Sequence, residues 1–340
     1  MRSSLALLPL LIGVSAVAPA GSSFELLSVK RIWDSAPHSA FGDIIRFHNE
    51  WFVIFREGMN HVASPGKPAD GKLRVIHSKD GDAWTSAALI EEAGIDLRDP
   101  HLSVTADGRV MAVAGGSEYP KGTYAGRQPR VMFSKNGSDW TAPAKVLERG
   151  HWLWRVTWHK GQAWGVSKYG SCCKELPEDP RRVNLVRSKD GVHWETDREL
   201  KVPGGDEATV RFLSDDTMVI LMRRRLQTGD ASAVIGVAKA PYKDWQWTET
   251  KHFIGGPNFI VLPGDRMVEG GRWFEQGTPA SAKTAVGWMT RTGYQPELVL
   301  PSNGDSSYPG FAYYRNVLWT LYYSSHEGKA SIYLAKIQVR

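Results

Sequence analysis

Cysteine is nearly absent from this chain of 340 residues: Cys172 and Cys173 are the only two, and they are adjacent. That excludes a disulfide-stapled scaffold and leaves no thiol set for a structural zinc site. Consecutive Cα atoms lie about 3.8 Å apart, short of the usual span of a disulfide. A vicinal bridge would be strained, and two thiols or an intermolecular bridge stay open beside it. Apolar segments with helical period are scarce, which argues against a helical or alternating βα architecture. Beyond the first twenty residues no apolar run is long enough to span a bilayer as a helix. There is no block of Lys and Arg and no zinc-knuckle spacing. The net charge of +6 therefore gives no case for a nucleic-acid partner, although it favours an anionic one.

What is present begins at the N-terminus. Met1-Arg2 precedes an apolar run from Leu5 to Val17, and Ala18-Pro19-Ala20 supplies small residues before Gly21. This pattern predicts a secretory signal over residues 1–20, with residues 21–340 as one exported domain, secreted or periplasmic. The remaining chain is organised by a repeat. Ser78-Lys79-Asp80-Gly81-Asp82-Ala83-Trp84 returns as Ser134–Trp140 and as Ser188–Trp194, at Trp-to-Trp intervals of 56 and 54 residues. A degraded copy, Lys243–Trp247, ends 53 residues after the third. A fixed period of this size marks a repeat array. Asp or Asn followed by Gly builds the turn, the short side chain bonding local backbone and Gly accepting positive φ.

Between the turns lie short apolar strands, about four per repeat. The units open near Asp43, Arg98, Arg155, Glu207, Asn258 and Tyr308. Six four-stranded units of this period predict an all-β, six-bladed β-propeller. The sixth unit has only three strands of its own, so Phe24–Trp33 is expected to supply the fourth and close the ring. A β-sandwich would leave the regular turn period unexplained.

This topology sends the Asp-Gly turns to one face. Starts of first strands and ends of second strands gather on the other, around the axis. The first group contains His38, Asp43, Arg98, Asp99, His101, Trp154, Arg155, Asp206, Glu207, Asn258, Asp305 and Tyr308. The second contains Arg56, Glu57, Lys168, Tyr169, Arg223, Arg224, His326 and Glu327, with His61 just beyond the blade-one strand. Singly, each reads as a solvated rim group. Together, several Arg beside several carboxylates and a Tyr suit an acidic sugar, because the guanidinium fork matches a carboxylate.

Phe55–Gly58, Asp96–Ser103, Trp152–Gly161, Gly255–Asn258, Ser307–Gly310 and Tyr322–Lys336, with the Asp-box turns, resemble the secreted sialidase-like proteins of bacteria over roughly residues 30–340. The resemblance implies a Tyr nucleophile activated by a Glu, an Asp acid/base and Arg clamps on the substrate carboxylate. Carried over, Tyr308 matches the nucleophile, Glu207 its base, and Arg56 an Arg that touches sugar. Asp70 stands at the place of the acid, where it also reads as a simple Asp-Gly turn; Asp43 and Asp99 are rivals nearer the axis. The Arg-Ile-Pro that opens blade one in sialidases is replaced by Ala36-Pro37-His38, so one member of the Arg clamp is either lost, which argues against sialic acid itself, or replaced by Arg98, Arg155 or Arg223.

The leading expectation is a metal-independent, cofactor-free retaining exo-glycosidase acting on a glycan. His38, His61, Arg56, Glu57, Arg98, Arg155, Arg223, Asn258 and Asp305 are its candidate substrate contacts. Two alternatives stand beside it: a glycan-binding propeller without turnover, and an exo-glycosidase for a non-sialic sugar using carboxylates alone, with Asp99, Asp43 and Glu57 as candidates. A vicinal disulfide at Cys172 and Cys173 would add an apolar platform near the site.

Overall fold

A computed structural model describes residues 23–67, 70–170, 182–274 and 281–340. They form six four-stranded antiparallel sheets, the blades of a six-bladed β-propeller. Blade one is β2 (His38–Phe47), β3 (Glu50–Gly58), β4 (Lys72–Ser78) and β5 (Thr85–Ile90). Blade two is β6 (Ile95–Val104), β7 (Val110–Glu118), β8 (Gly126–Ser134) and β9 (Ala144–Lys145). Blade three follows as β10 (Trp152–His159), β11 (Gln162–Tyr169), β12 (Arg182–Ser188) and β13 (Trp194–Leu200). Blade four is β14 (Gly205–Phe212), β15 (Met218–Leu226), β16 (Gly229–Ala238) and β17 (Gln246–Glu249). Blade five is β18 (Gly255–Leu262), β19 (Arg266–Phe274), β20 (Ala282–Met289) and β21 (Tyr294–Val299). Blade six contributes β22 (Ser306–Tyr314), β23 (Val317–Ser324) and β24 (Ser331–Val339), and its outer strand is β1 (Phe24–Trp33). Phe24 pairs with Val339 and Trp33 with Ile332, so the two ends of the described chain share one sheet, which holds the ring closed.

Burial follows radius. Trp51–Phe55 in β3 is buried without interruption, whereas in the outermost strand β5 only Ile90 is buried. A strand flanked by blades on both faces has no solvated side, so it reads as a continuous apolar run instead of an alternation. Among the described residues no helix is long and apolar enough to cross a membrane.

The repeated turns form as their residues require. Ser78 Oγ accepts from Gly81 N at 2.7 Å, and Asp80 Oδ1 accepts from Asp82 N at 2.8 Å and Ala83 N at 3.1 Å. Those backbone donors hold the Asp80 carboxyl down at about 2. Gly137 has φ +80°, and a Cβ there would lie 2.3 Å from the Phe52 ring of blade one. Gly81 stands in the same relation to Trp319 of blade six. The turn is thus a blade-to-blade contact as well as a chain reversal. In the degraded fourth copy, Trp245 Nε1 donates to Tyr242 O at 3.0 Å, as Trp140 donates to Gly137 O and Trp194 to Gly191 O. Tyr242, at φ +61°, stands in the glycine position. Trp245, not Trp247, is therefore the equivalent tryptophan. Residues 1–20 and Cys172 and Cys173, on which the signal and disulfide expectations fall, lie outside the described residues.

Candidate functional site

One local device recurs in every blade. The innermost strand carries a β-bulge near its start, where its pairing with the second strand slips by a residue. The slips fall between Ala40 and Gly42, Arg98 and His101, Leu153 and Val156, Gly205 and Ala208, Gly255 and Asn258, and Ser307 and Gly310. Bulges re-aim side chains and interrupt the ladder. The residues at these six breaks include Asp99, Arg155, Glu207 and Tyr308. Phe41, Asp99 and Tyr308 take left-handed φ of +55°, +49° and +52°, a conformation uncommon for residues with a Cβ and enriched at functional sites.

The bulges of blades two, four and six border a cavity of about 340 Å³. On one side Tyr308 Oη donates to Glu207 Oε1 at 3.2 Å. The other Glu207 oxygen accepts from Arg223 Nη1 and from Gly256 N, both at 3.0 Å, so the carboxylate is held with one oxygen turned to the phenol. Gly256 is required for this approach: a Cβ there would lie 2.0 Å from Tyr308. Burial pushes the Tyr308 phenol above its ordinary value, and the Glu207 charge pushes it further; the ring is a neutral donor at physiological pH. The Arg272 guanidinium lies 5.2 Å from the centre of the Tyr308 ring and donates to Ser306 O and Tyr323 Oη.

Asp99 lines the same cavity. Burial raises its carboxyl to about 6; Arg98 offsets that only in part, and the nearby Glu207 charge adds to it. Arg98 Nε is 3.6 Å from Asp99, and its Nη1 is 3.7 Å from Asp96, so the guanidinium is shared. Among the described residues Asp99 Oδ1 has no hydrogen-bond partner.

His61 faces the cavity beside this group and hydrogen-bonds Asp305 Oδ2 through Nδ1 at 2.7 Å; His38 Nε2 meets the same oxygen at 2.9 Å. Tyr323 Oη donates to the other oxygen at 2.9 Å. Burial raises the Asp305 carboxyl, but the two imidazoles outweigh it and hold the group below the ordinary carboxylate range. Among the described residues, His38, His61 and Asp305 are a set close enough to ligate one ion, their ligand atoms lying within 4.8 Å. Arg272, 4.0 Å from Asp305, and the Arg98 charge felt by His61 make that spot electrostatically poor for a cation.

Of the candidates read from the sequence, Tyr308, Glu207, Asp99, Arg98, Arg223 and His61 line the cavity. His38 and Asp305 stand directly behind His61. Three others lie beneath. Asp43 accepts from Arg155 Nη1 at 2.7 Å and from Leu102 N at 2.9 Å, Arg155 also donates to Pro309 O, and Asn258 Nδ2 donates to the same carbonyl. Arg56 is fully buried on Asp96 at 2.7 Å. Glu57 serves Trp33 and Arg74. Asp70 accepts from Met59 N and borders a separate cavity with Lys72 and Glu91.

The cavity also draws on residues the reading passed over. Arg272 lies near the end of the second strand of blade five, where it pairs with Gly255 as Arg56 pairs with Ala40 and Arg224 with Gly205 in their blades; the same strand-end rule applied there would have found it. Arg127 starts the third strand of blade two, and Tyr119 and Tyr124 flank it, a radius that strand-end reasoning did not reach. Asp99-Pro100, Gly256-Pro257 and Tyr308-Pro309 share a further signal, since Pro within a sheet marks bulges.

This geometry belongs to a six-bladed propeller of sialidase-like fold. No family model matches the chain, and no curated protein does. Among solved structures, a protein of unknown function from Dyadobacter fermentans superposes with TM-score 0.77 at 17% identity, covering 94% of this chain and 100% of that one. Trypanosoma rangeli sialidase, in complex with the inhibitor DANA, superposes with TM-score 0.68 at 12% identity over 94% of this chain; the chain spans 60% of the length of that enzyme. An α-L-arabinofuranosidase mutant of Fusarium graminearum, bound to an iminosugar, gives TM-score 0.66 at 11% identity, covering 93% and 98% of the two chains.

Proposed function

We propose that this protein is an exported exo-glycoside hydrolase that removes terminal acidic sugars with retention of configuration. The observation that carries the reading is the Tyr308–Glu207 hydrogen bond, 3.2 Å long, in a cavity lined by Arg98, Arg223 and Arg272. The guanidinium groups hold the substrate anion. A carboxylate nucleophile would be repelled by that anion, whereas a neutral phenol is not. Glu207 takes the phenolic proton as Tyr308 Oη attacks the anomeric carbon, and Arg272 over the ring stabilises the charge that develops on it. Asp99, protonated below about pH 6, gives its proton to the departing glycosidic oxygen. In the second half it takes a proton from the water that attacks the anomeric carbon, the bond to Tyr308 Oη breaks, and Glu207 returns its proton to the departing phenolate. The structural likeness to a sialidase and an arabinofuranosidase supports glycoside chemistry on this scaffold.

A second reading, hydrolysis of a non-sialic sugar, is favoured by His38. It stands at the blade-one opening where the sialidase pattern has Arg, and it is committed to Asp305. Aryl glycosides of sialic, uronic and neutral sugars separate the two. Turnover of an acidic glycoside should fall by at least about 10³-fold in Tyr308→Phe with the circular dichroism of the fold retained. Unchanged turnover in that variant would remove Tyr308 from the mechanism, and a strictly neutral-sugar preference would replace the first reading by the second.

A further inference from the structure

We infer that the blade-two and blade-three end of the cavity is a second subsite, which takes an anionic substituent, carboxylate or sulfate, on the part of a glycan beyond its terminal sugar. The inference rests on the reading above only in placing the terminal sugar at Tyr308. Six Arg and Lys side chains line the cavity. Arg98, Lys168, Arg223, Arg225 and Arg272 each have a carboxylate within 4.0 Å. Arg127 has none among the described residues. Its Nη2 donates to Gly170 O at 2.9 Å, and its Nε is buried without a hydrogen-bond partner. A guanidinium held by one carbonyl and aimed at a cavity keeps most of its fork for a ligand, and two oxygens of a carboxylate or sulfate match that fork. Its positive charge reaches the neighbouring His151, which is depressed to about 4, first by burial and then by Arg127 and Arg182.

Beside Arg127 is an aromatic wall. The Trp152 indole covers Gly115, where a Cβ would come within 2.2 Å of it, and the Tyr119 and Tyr124 rings are 5.4 Å apart. All three rings border the cavity, and such surfaces present a broad apolar face with a polar edge. The location separates this end from the first. In a ring of six, blades two and three stand across the axis from blades five and six, which carry Arg272 and Tyr308. Arg127 also begins a third strand, at larger radius than the first-strand bulges. A group bound there is therefore not the one clamped at Tyr308.

The test is binding of the labelled full chain, in the Tyr308→Phe background to prevent consumption, to an array carrying neutral, sulfated, uronate-bearing and sialylated glycans. Glycans with an anion on the residue next to the terminal sugar should be preferred over their neutral twins. Arg127→Met should reduce that preference by about 10- to 100-fold, and Arg127→Lys should restore part of it. The sulfated and uronate arms identify which anion is taken. Trp152→Ala should weaken charged and neutral glycans alike. A wild-type array without such a preference, or an Arg127→Met array with unchanged rank order or a uniform loss, overturns the subsite. Binding without turnover on aryl glycosides would instead overturn the hydrolase reading and leave the subsite standing.

Discussion

Asp99 owes its character to its surroundings. A carboxyl enclosed beside Arg98 and facing Glu207 keeps its proton to about pH 6, two pH units above an ordinary aspartate. Arg56 and Asp96 complete the charges acting on it. If Asp99 is the acid, kcat/KM on glycosides with poor leaving groups falls as pH rises through about 6, and Asp99→Asn removes that limb together with most of the rate. The same shift has a stability consequence of definite sign. With its native value raised, Asp99 contributes most favourably below about pH 4, and that contribution is lost as pH rises through 6. Asp99→Asn should therefore gain on the wild type between pH 4 and pH 7 by as much as about 3 kcal/mol, read from urea denaturation at the two pH values. A constant difference would mean that Asp99 is not buried as described.

Two elements set the architecture, the inner-strand bulge and the Asp-Gly turn. The bulge puts one residue per blade out of register and toward the axis, which is how side chains from blades two, four and six meet. The turn works at the opposite face. Gly137 must hold φ +80° while the Phe52 ring of the neighbouring blade occupies the space of a side chain. Gly137→Ala should cost about 1–3 kcal/mol in chemical denaturation. Gly108→Ala, also at positive φ but with nothing within 4 Å, should cost less, because only the backbone penalty remains. Equal losses would show that the blade contact contributes nothing. The Gly137 turn was legible as a Gly-containing reversal; that a ring presses on it was not, because the ring belongs to another repeat.

At the scale of the whole molecule, the blades are tied beneath the cavity by a buried network. Asp43 of blade one accepts from Leu102 of blade two and Arg155 of blade three, and Arg155 reaches Pro309 of blade six. Both side chains are at most 5% exposed. Removing one member leaves the other charge buried and unpaired, so Arg155→Met should destabilise the fold by about 3–5 kcal/mol, and Asp43→Leu combined with it should recover part of that loss. A double-mutant cycle by thermal or denaturant unfolding measures the difference; strictly additive losses would deny the pair any coupling. Asp43 and Arg155 thus lie away from the cavity, as supports of the bulges that carry Asp99 and Tyr308.

The sequence by itself determined the six-fold repeat, the closure by Phe24–Trp33 and the face on which polar strand ends collect. These depend on local periodicity and turn chemistry, which the order of residues carries directly. It also singled out Tyr308 and Glu207 as candidates. Only the tertiary structure decided which polar ends share a cavity, because that depends on bulges, radius and contacts between blades far apart in the chain. Asp43, Asp70 and Asp99 could not be ranked by position. In the fold one is spent on Arg155, one opens onto another cavity, and the third is desolvated beside Glu207. Arg56 and Arg272 lie near the ends of equivalent strands, yet one is buried on Asp96 and the other lies over Tyr308. Neighbouring blades supply those surroundings, and no local pattern contains them.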